Sequence, residues 1–187
     1  MSARLSAGDP AVSFVRGQER YRGPKFALVD EVYATPDGEV ERPVIHHPGA
    51  VAILAEPEPG LLLMVRQFRY SIRSWTLEIP AGTRVPGEAP EATAMRELEE
   101  ESGYRAGRLS EIMRFHPAVG VSDEEMMLYR AEDLTPGTAA PDPGELVRRE
   151  LVSLADLPGM LAAGQRFDAK TLIALALLGI PLRSGNG

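Results

Sequence analysis

An α/β fold with a β-hairpin extension at its N-terminus is the class the sequence predicts, and three observations predict it. Short apolar runs separated by Pro/Gly/Asp turn sequences fill much of the first 80 residues; one helix pattern with clear start and stop signals follows; further strand patterns then lead into two short helices. A chain of 187 residues with 44% hydrophobic content can bury a sizeable core, and its length favours one domain with at most a small appendage.

In chain order, "FALVDEVYA" at 26–34 and "EVERPVI" at 39–45 flank "TPDG", whose Pro and Gly stand where a turn needs them, so this stretch reads as a hairpin. "GAVAILA" and "LLLMVRQF" bracket "EPEPG" and read as a second strand pair, with "WTLEI" at 75–79 as another short strand. Pro90 opens a helix expected to run to about Glu101, and Gly103 is placed to stop it. Strands are expected near 107–115, 125–131 and 145–152, and helices near 154–163 and 169–178, the second capped by Asp168 and ended by Gly179. The segment 132–144 is the longest Pro/Gly-rich stretch and reads as a surface loop; the tail "RSGNG" reads as frayed.

Composition excludes several classes. With 20 basic and 27 acidic residues the formal charge is −7, which argues against a broad nucleic-acid surface. Cysteine is absent, so neither disulfides nor thiolate metal sites are available. No apolar run reaches the roughly 18 residues that span a bilayer, and "MSARLSAGDP" has no signal-peptide core, so the expectation is a cytoplasmic protein without a membrane partner.

The expected helix carries four glutamates among residues 97–101, at the end where the backbone dipole disfavours negative charge. At about 100° per residue, Glu97, Glu100 and Glu101 fall on one arc, while Ala92, Met95 and Leu98 lie opposite. A solvated acidic face is one reading. The other is a cation site: two carboxylates ~6 Å apart repel by roughly 3 kcal/mol at an effective dielectric of 20, and a divalent cation reverses that sign. Hard oxygen donors favour Mg²⁺, or Mn²⁺, over a soft metal. Arg96 can pair with Glu100 at i+4 and orient it, or serve as an ordinary helix ion pair.

Gly82, five residues, Glu88, seven residues and then "RELEEESGY" match the pattern G-x5-E-x7-R-E-U-x-E-E-x-G-U at every fixed position, and the chain thereby resembles the Nudix family. The resemblance implies an α/β/α sandwich with a mixed sheet and metal-dependent hydrolysis of a nucleoside diphosphate linked to another moiety. It makes Glu97, Glu100 and Glu101, with the Ala81 carbonyl, the metal ligands, and Arg96 their orienter. Glu88 matches a salt-bridge position, and Gly82 and Gly103 match structural ones.

Outside the box, "HPGAVAIL", "VRQFRYSIRSWTLEIPAG" and "DAKTLIALAL" resemble the ADP-ribose and nucleotide-sugar pyrophosphatase branch. That likeness implies ADP-ribose as substrate, with GDP-mannose or another nucleotide sugar as the alternative and a non-hydrolytic nucleotide-sugar-binding module as a third reading. Arg69 and Glu78 match substrate-contacting positions; Glu78 could instead simply pair Arg69. Arg66 and Arg73 are weaker candidates. "PAVGVSDE" departs from the branch, with Val119 where a proline is usual and Pro117 two residues early. Trp75 reads as core rather than as a base-stacking platform, and His46, His47 and His116 read as structural. The branch places the catalytic base on a loop well after the box; Glu145 matches best, Asp142 second, and Glu150 lies too deep in a strand pattern. If Glu145 is only a loop-end charge, Glu100 becomes the base. The branch also exchanges N-terminal strands between two copies. Residues 1–48 are accordingly expected to be a dimerising extension and 49–182 the hydrolase domain, in a homodimer acting on a small nucleoside diphosphate sugar.

Overall fold

The structure, a computed structural model, describes residues 11–141 and 144–182; Asp142, the first ten residues and the 183–187 tail lie outside the described residues. In chain order the elements are β1 (Ser13–Arg22), β2 (Ala27–Thr35), β3 (Gly38–His46), β4 (Ala50–Ala55), β5 (Leu61–Arg69), β6 (Ser74–Glu78), β7 (Ala81–Thr83), α1 (Pro90–Ser102), β8 (Tyr104–Phe115), β9 (Met126–Pro136), β10 (Val147–Ser153), α2 (Leu157–Ala162) and α3 (Ala169–Leu177). Contacts divide the chain into one unit that ends at Pro48 and takes in Ala118–Glu124, and a second holding Gly49–Pro117 and the chain from Glu125 onward.

In the first unit, β2 and β3 form the expected hairpin, pairing from Ala27 with His46 to Thr35 with Gly38 across the "TPDG" turn. The Thr35 hydroxyl donates to the Gly38 carbonyl at 2.8 Å and closes that turn. β1 adds a third antiparallel strand on β2 that the sequence reading missed. Its "SFVRGQERYR" lacks apolar alternation, and every residue is exposed; what holds it is the backbone ladder with surface pairs such as Arg20 to Asp30 at 2.5 Å. The segment 118–124 pairs with β3, the Ile45 amide donating to the Val121 carbonyl at 2.8 Å and the Asp123 amide to the Ile45 carbonyl at 3.1 Å.

The second unit is an α/β/α sandwich built on two sheets, ordered β10-β5-β6 and β7-β4-β9-β8. β4 runs parallel to β9 and antiparallel to β7, so the second sheet is mixed. All six residues of β4 are buried, because its two faces serve two cores. Ala50, Ala52 and Leu54 join Leu62, Met64, Leu77, Val152, and Leu157 and Leu175 of the later helices. Val51, Ile53 and Ala55 join Leu63, Met127, Tyr129, and Ala94 and Leu98 of α1. The period-2 alternation of one strand thus sorts helices onto opposite faces.

Two expectations are corrected. β4 and β5 are not a hairpin pair but belong to different sheets, since the "EPEPG" connection crosses between layers. β9 runs on to Pro136, through the first five residues of the 132–144 segment expected to be loop, because Tyr104–Ala106 of β8 pair with Leu134–Pro136 and extend the ladder.

Candidate active site

Helix α1 starts with Pro90 in its first turn and Glu91 favourably near the positive end of the dipole. It stops at Gly103, whose φ of +76° a residue with a Cβ would resist and whose Cβ would meet the Ala139 amide nitrogen at 2.6 Å. Thr93, Ala94 and Leu98 are buried on its inner face. The glutamate-rich end has the positive partners its dipole demands. Arg149 of β10, which the sequence reading missed, donates to the Ser102 carbonyl at 3.0 Å and lies 5.3 Å over the Tyr104 ring. Arg105 donates to Glu99 at 2.8 Å.

Arg96 gathers the other carboxylates. Its Nη1 donates to Glu97 at 2.9 Å and to Glu100 at 2.8 Å, and its Nη2 to Glu88 at 3.4 Å. Burial works against the Arg96 charge, but Glu97, Glu88 and Glu100 together raise its pKa. Glu88 also accepts from the Thr93 hydroxyl at 2.8 Å, which with Arg96 lowers its pKa.

The partner of α1 is β7, held on β4 by Ala81 opposite Ala52 and Gly82 opposite Val51. The Ala81 amide donates to Glu101 at 3.0 Å. A Cβ on Gly82 would lie 1.9 Å from the Glu97 carboxyl carbon and 2.1 Å and 2.3 Å from its oxygens, so Glu97 occupies space that only glycine leaves. Burial pushes the Glu101 carboxyl up to about 8, with Glu97 adding to the rise and the Ala81 amide opposing it. Glu97 is likewise raised, by burial first, and Glu100 and Glu145 contribute to the rise. Glu145, on the segment before β10, is therefore close enough to the box for its charge to be felt there.

As they stand, Glu97 and Glu100 are turned onto Arg96 and Glu101 onto the Ala81 amide, and among the described residues no three carboxylates or imidazoles converge as a cation cage. The donor set nevertheless fits a hard divalent cation: all oxygen, with Glu97 and Glu101 beside β7 and both disfavoured as anions by burial until positive charge arrives, and Glu100 on the same guanidinium as Glu97.

The second cluster lies where β6 ends. Arg69 clasps Glu78 with Nε at 2.7 Å and Nη2 at 2.5 Å, so of its two readings Glu78 takes the pairing one in this state. Burial would raise Glu78, but the Arg69 hydrogen bonds and the charges of Lys170 and Arg69 hold it well below the usual carboxylate range. Lys170 donates to both Glu78 and Asp168. The sequence reading missed it; a lysine in the first turn of α3, whose other residues are apolar save Thr171, was the available signal. Arg69, Thr76, Glu78, Arg166, Phe167 and Asp168 help to line a cavity of about 680 Å³.

The weaker candidates sort differently. Arg66 pairs with Glu150 at 2.8 Å and Arg73 stands in the turn after β5 with φ of +50°. Trp75 is corrected from core to surface: it is 45% exposed, on β6 at the edge of its sheet, with its ring 5.7 Å from Phe68. His46 bridges Asp123 through Nδ1 at 2.6 Å and Glu31 through Nε2 at 2.9 Å, a structural role tying β3 to the 118–124 segment. Val119 is exposed.

Comparison with known proteins agrees with this geometry. The NUDIX domain model matches residues 45–175. An ADP-ribose pyrophosphatase of Bacillus subtilis (strain 168) is 37% identical over 86% of this chain and 89% of its own length. A methanol dehydrogenase activator of Bacillus methanolicus is 35% identical over 88% of this chain and 90% of its own. A solved structure of an ADP compounds hydrolase superposes with a TM-score of 0.75 at 23% identity, covering 94% of this chain and 95% of that one, which is a likeness of fold. With the box complete, its glutamates gathered by Arg96 and β7, and the family model spanning most of the chain, the protein belongs to the Nudix family and is a Nudix hydrolase.

Proposed function

We propose that this hydrolase is a Mg²⁺-dependent pyrophosphatase that cleaves the diphosphate linkage of ADP-ribose to AMP and ribose 5-phosphate. One observation carries the reading: a single stretch, Glu78–Gly82, holds an arginine that lines a cavity at one end and meets the box glutamates Glu101 and Glu97 at the other. A substrate with a diphosphate between two bulky ends needs both within one molecule's reach. The similarity to the Bacillus subtilis ADP-ribose pyrophosphatase supports the choice of ADP-ribose.

Mg²⁺, or Mn²⁺, held by Glu97, Glu100, Glu101 and the Ala81 carbonyl would offset the substrate's charge and polarise its P–O bonds. Arg69 spends Nε and Nη2 on Glu78, which leaves Nη1 for a phosphate oxygen. Arg96 holds Glu97 and Glu100 on the same side of α1. Glu145 accepts a proton from the attacking water as the water oxygen bonds to one phosphorus and the bridging P–O bond breaks, the leaving phosphate keeping the electron pair. Glu100 is the base if Glu145 is not.

The chain up to residue 48 serves as a dimerising extension and 49–182 as the hydrolase domain, in a cytoplasmic homodimer whose active site includes the partner's extension. Support comes from β1, where Phe14, Val15 and Tyr21 are exposed and await a surface. Sedimentation at micromolar concentration is expected to give a dimer, and a fully active monomer would rule it out.

The test of function is product analysis of ADP-ribose, ADP-glucose, GDP-mannose, NADH and FAD with Mg²⁺, with Mn²⁺ and in excess EDTA. AMP from ADP-ribose should appear fastest and vanish with EDTA. Preference for GDP-mannose would move the substrate to the alternative, and undiminished hydrolysis in EDTA would overturn the metal dependence.

A further inference from the structure

Every polar side chain of "DAKT" at 168–171 is committed. Asp168 accepts from the Thr171 amide at 3.0 Å, capping α3, and also accepts from Lys170. Thr171 accepts from the Ile79 amide at 3.0 Å, and Lys170 reaches Glu78. The Glu78 carboxylate thereby has four donors: Arg69 twice, the Thr76 hydroxyl at 2.6 Å, and Lys170. The four ionisable groups, Arg69, Glu78, Lys170 and Asp168, sum to no formal charge. Their exposure is uneven. The Lys170 and Glu78 side chains are 4% and 1% exposed, whereas that of Arg69 is 39% exposed and lines the cavity.

We propose that Lys170 is a positioning residue for substrate binding: buried beneath the cavity, it neutralises one of two carboxylates, so that Arg69 can pair with Glu78 in a cluster of no net charge and still turn its remaining N–H donor to a diphosphate without repelling it. The inference rests on the reading of Arg69 as the diphosphate anchor. Without Lys170, two carboxylates would face one guanidinium. The cluster would then carry a charge of −1, both acids would compete for the Arg69 donors, and an incoming anion would meet repulsion. Lys170 is shielded from solvent, so its hydrogen-bonded route to substrate runs through Glu78 and Arg69, while its charge is also felt at Glu101, less strongly than burial there. It should therefore change affinity far more than the bond-breaking step, which belongs to the α1 carboxylates.

The test uses the full-length protein with Mg²⁺ and two readouts: calorimetric affinity for inorganic pyrophosphate, which is independent of the nucleotide, and KM and kcat for ADP-ribose. Lys170→Met should weaken pyrophosphate binding and raise KM by about tenfold or more, with kcat within about threefold. Asp168→Asn combined with Lys170→Met restores neutrality without restoring the bond to Glu78, and should recover most of the lost affinity. If Lys170→Met does not fold, the neutral double variant decides alone: near-native affinity supports the proposal, and a tenfold loss overturns it. Unchanged affinity in Lys170→Met, a loss that the second substitution leaves uncorrected, or a wild type that does not bind pyrophosphate also overturns it. A wild type that binds pyrophosphate but releases no AMP from ADP-ribose refutes only the substrate, and the Lys170 comparison in pyrophosphate still stands.

Discussion

Replacing Gly82 with alanine separates the fold from the site. The new Cβ would lie 1.9 Å from the Glu97 carboxyl carbon, whereas ordinary contact begins near 3.4 Å, so the carboxylate must retreat by about 1.5 Å. The obstructed atoms are the far end of a flexible side chain and not backbone. The adjustment is a rotamer shift with partial loss of the Arg96 contact, about 1–2 kcal/mol in all. A displacement of that size in a reacting constellation costs on the order of a hundredfold in rate. Gly82→Ala is therefore expected to melt within a few degrees of the wild type while AMP release from ADP-ribose falls about a hundredfold. Gly159→Ala, on α2 with open space where its Cβ would go, is the control and should leave turnover unchanged while keeping or slightly raising the melting temperature. Turnover within about threefold of wild type for Gly82→Ala would mean that Glu97 does not work from the position beside β7, and the geometric argument for the site would fail.

Glu145→Gln should lower turnover at least about a hundredfold with ADP-ribose affinity and Mg²⁺ dependence kept; a fall below threefold would move the base to Glu100. His46 is raised above its ordinary 6.5, first by its hydrogen bond to Asp123 and against burial, with Glu31 adding. Its contribution to stability is thus full below 6.5 and is lost as pH rises through the elevated folded value, so thermal melts should decline across that window in wild type but not in His46→Asn. An imidazole titration by NMR with its midpoint at or below 6.5 would contradict this. Glu101→Gln should abolish hydrolysis by several orders of magnitude yet keep or raise the melting temperature of the metal-free protein; a drop of many degrees would show that the carboxylate is structural.

Much of this was legible in the sequence, for identifiable reasons. The box lies on a helix whose start and stop are local signals, Pro90 and Gly103; of the face expected to pack, Leu98 is buried, but Ala92 is exposed and Thr93 and Ala94 are buried instead. Glu97, Glu100 and Glu101 share a side because 3.6 residues make a turn. Non-local facts were not legible. β1 carries no apolar alternation, since it is held by a backbone ladder that any residue but proline can make, and so it passed unseen. Trp75 was misjudged because an apolar strand pattern does not say which strand forms the edge of its sheet. Lys170 and Arg149 meet Glu78 and the end of α1 across 92 and 47 residues of sequence, and no local pattern encodes such a meeting.

The glutamates at the end of α1 show where local preference and function part. Left to itself, a helix C-terminus would reject Glu100 and Glu101, and burial would reject Glu101 again, as its pKa of about 8 records. The fold tolerates them by supplying positive charge from outside the helix's last turn: Arg96 one turn back, Arg149 from β10 onto the Ser102 carbonyl, Arg105 onto Glu99. None of these arginines reaches Glu101, whose only hydrogen-bond donor among the described residues is the Ala81 amide. Among the α1 glutamates, the one without a side-chain hydrogen-bond donor is therefore also the most buried, and it stands beside the strand whose Gly82 makes room for Glu97. A structural acid would be paired, and a surface acid would be solvated. One that is neither is stable as an anion only when a cation comes from outside, and this gives Glu101 a stronger physical claim to a ligand's role than Glu100, which Arg96 already satisfies.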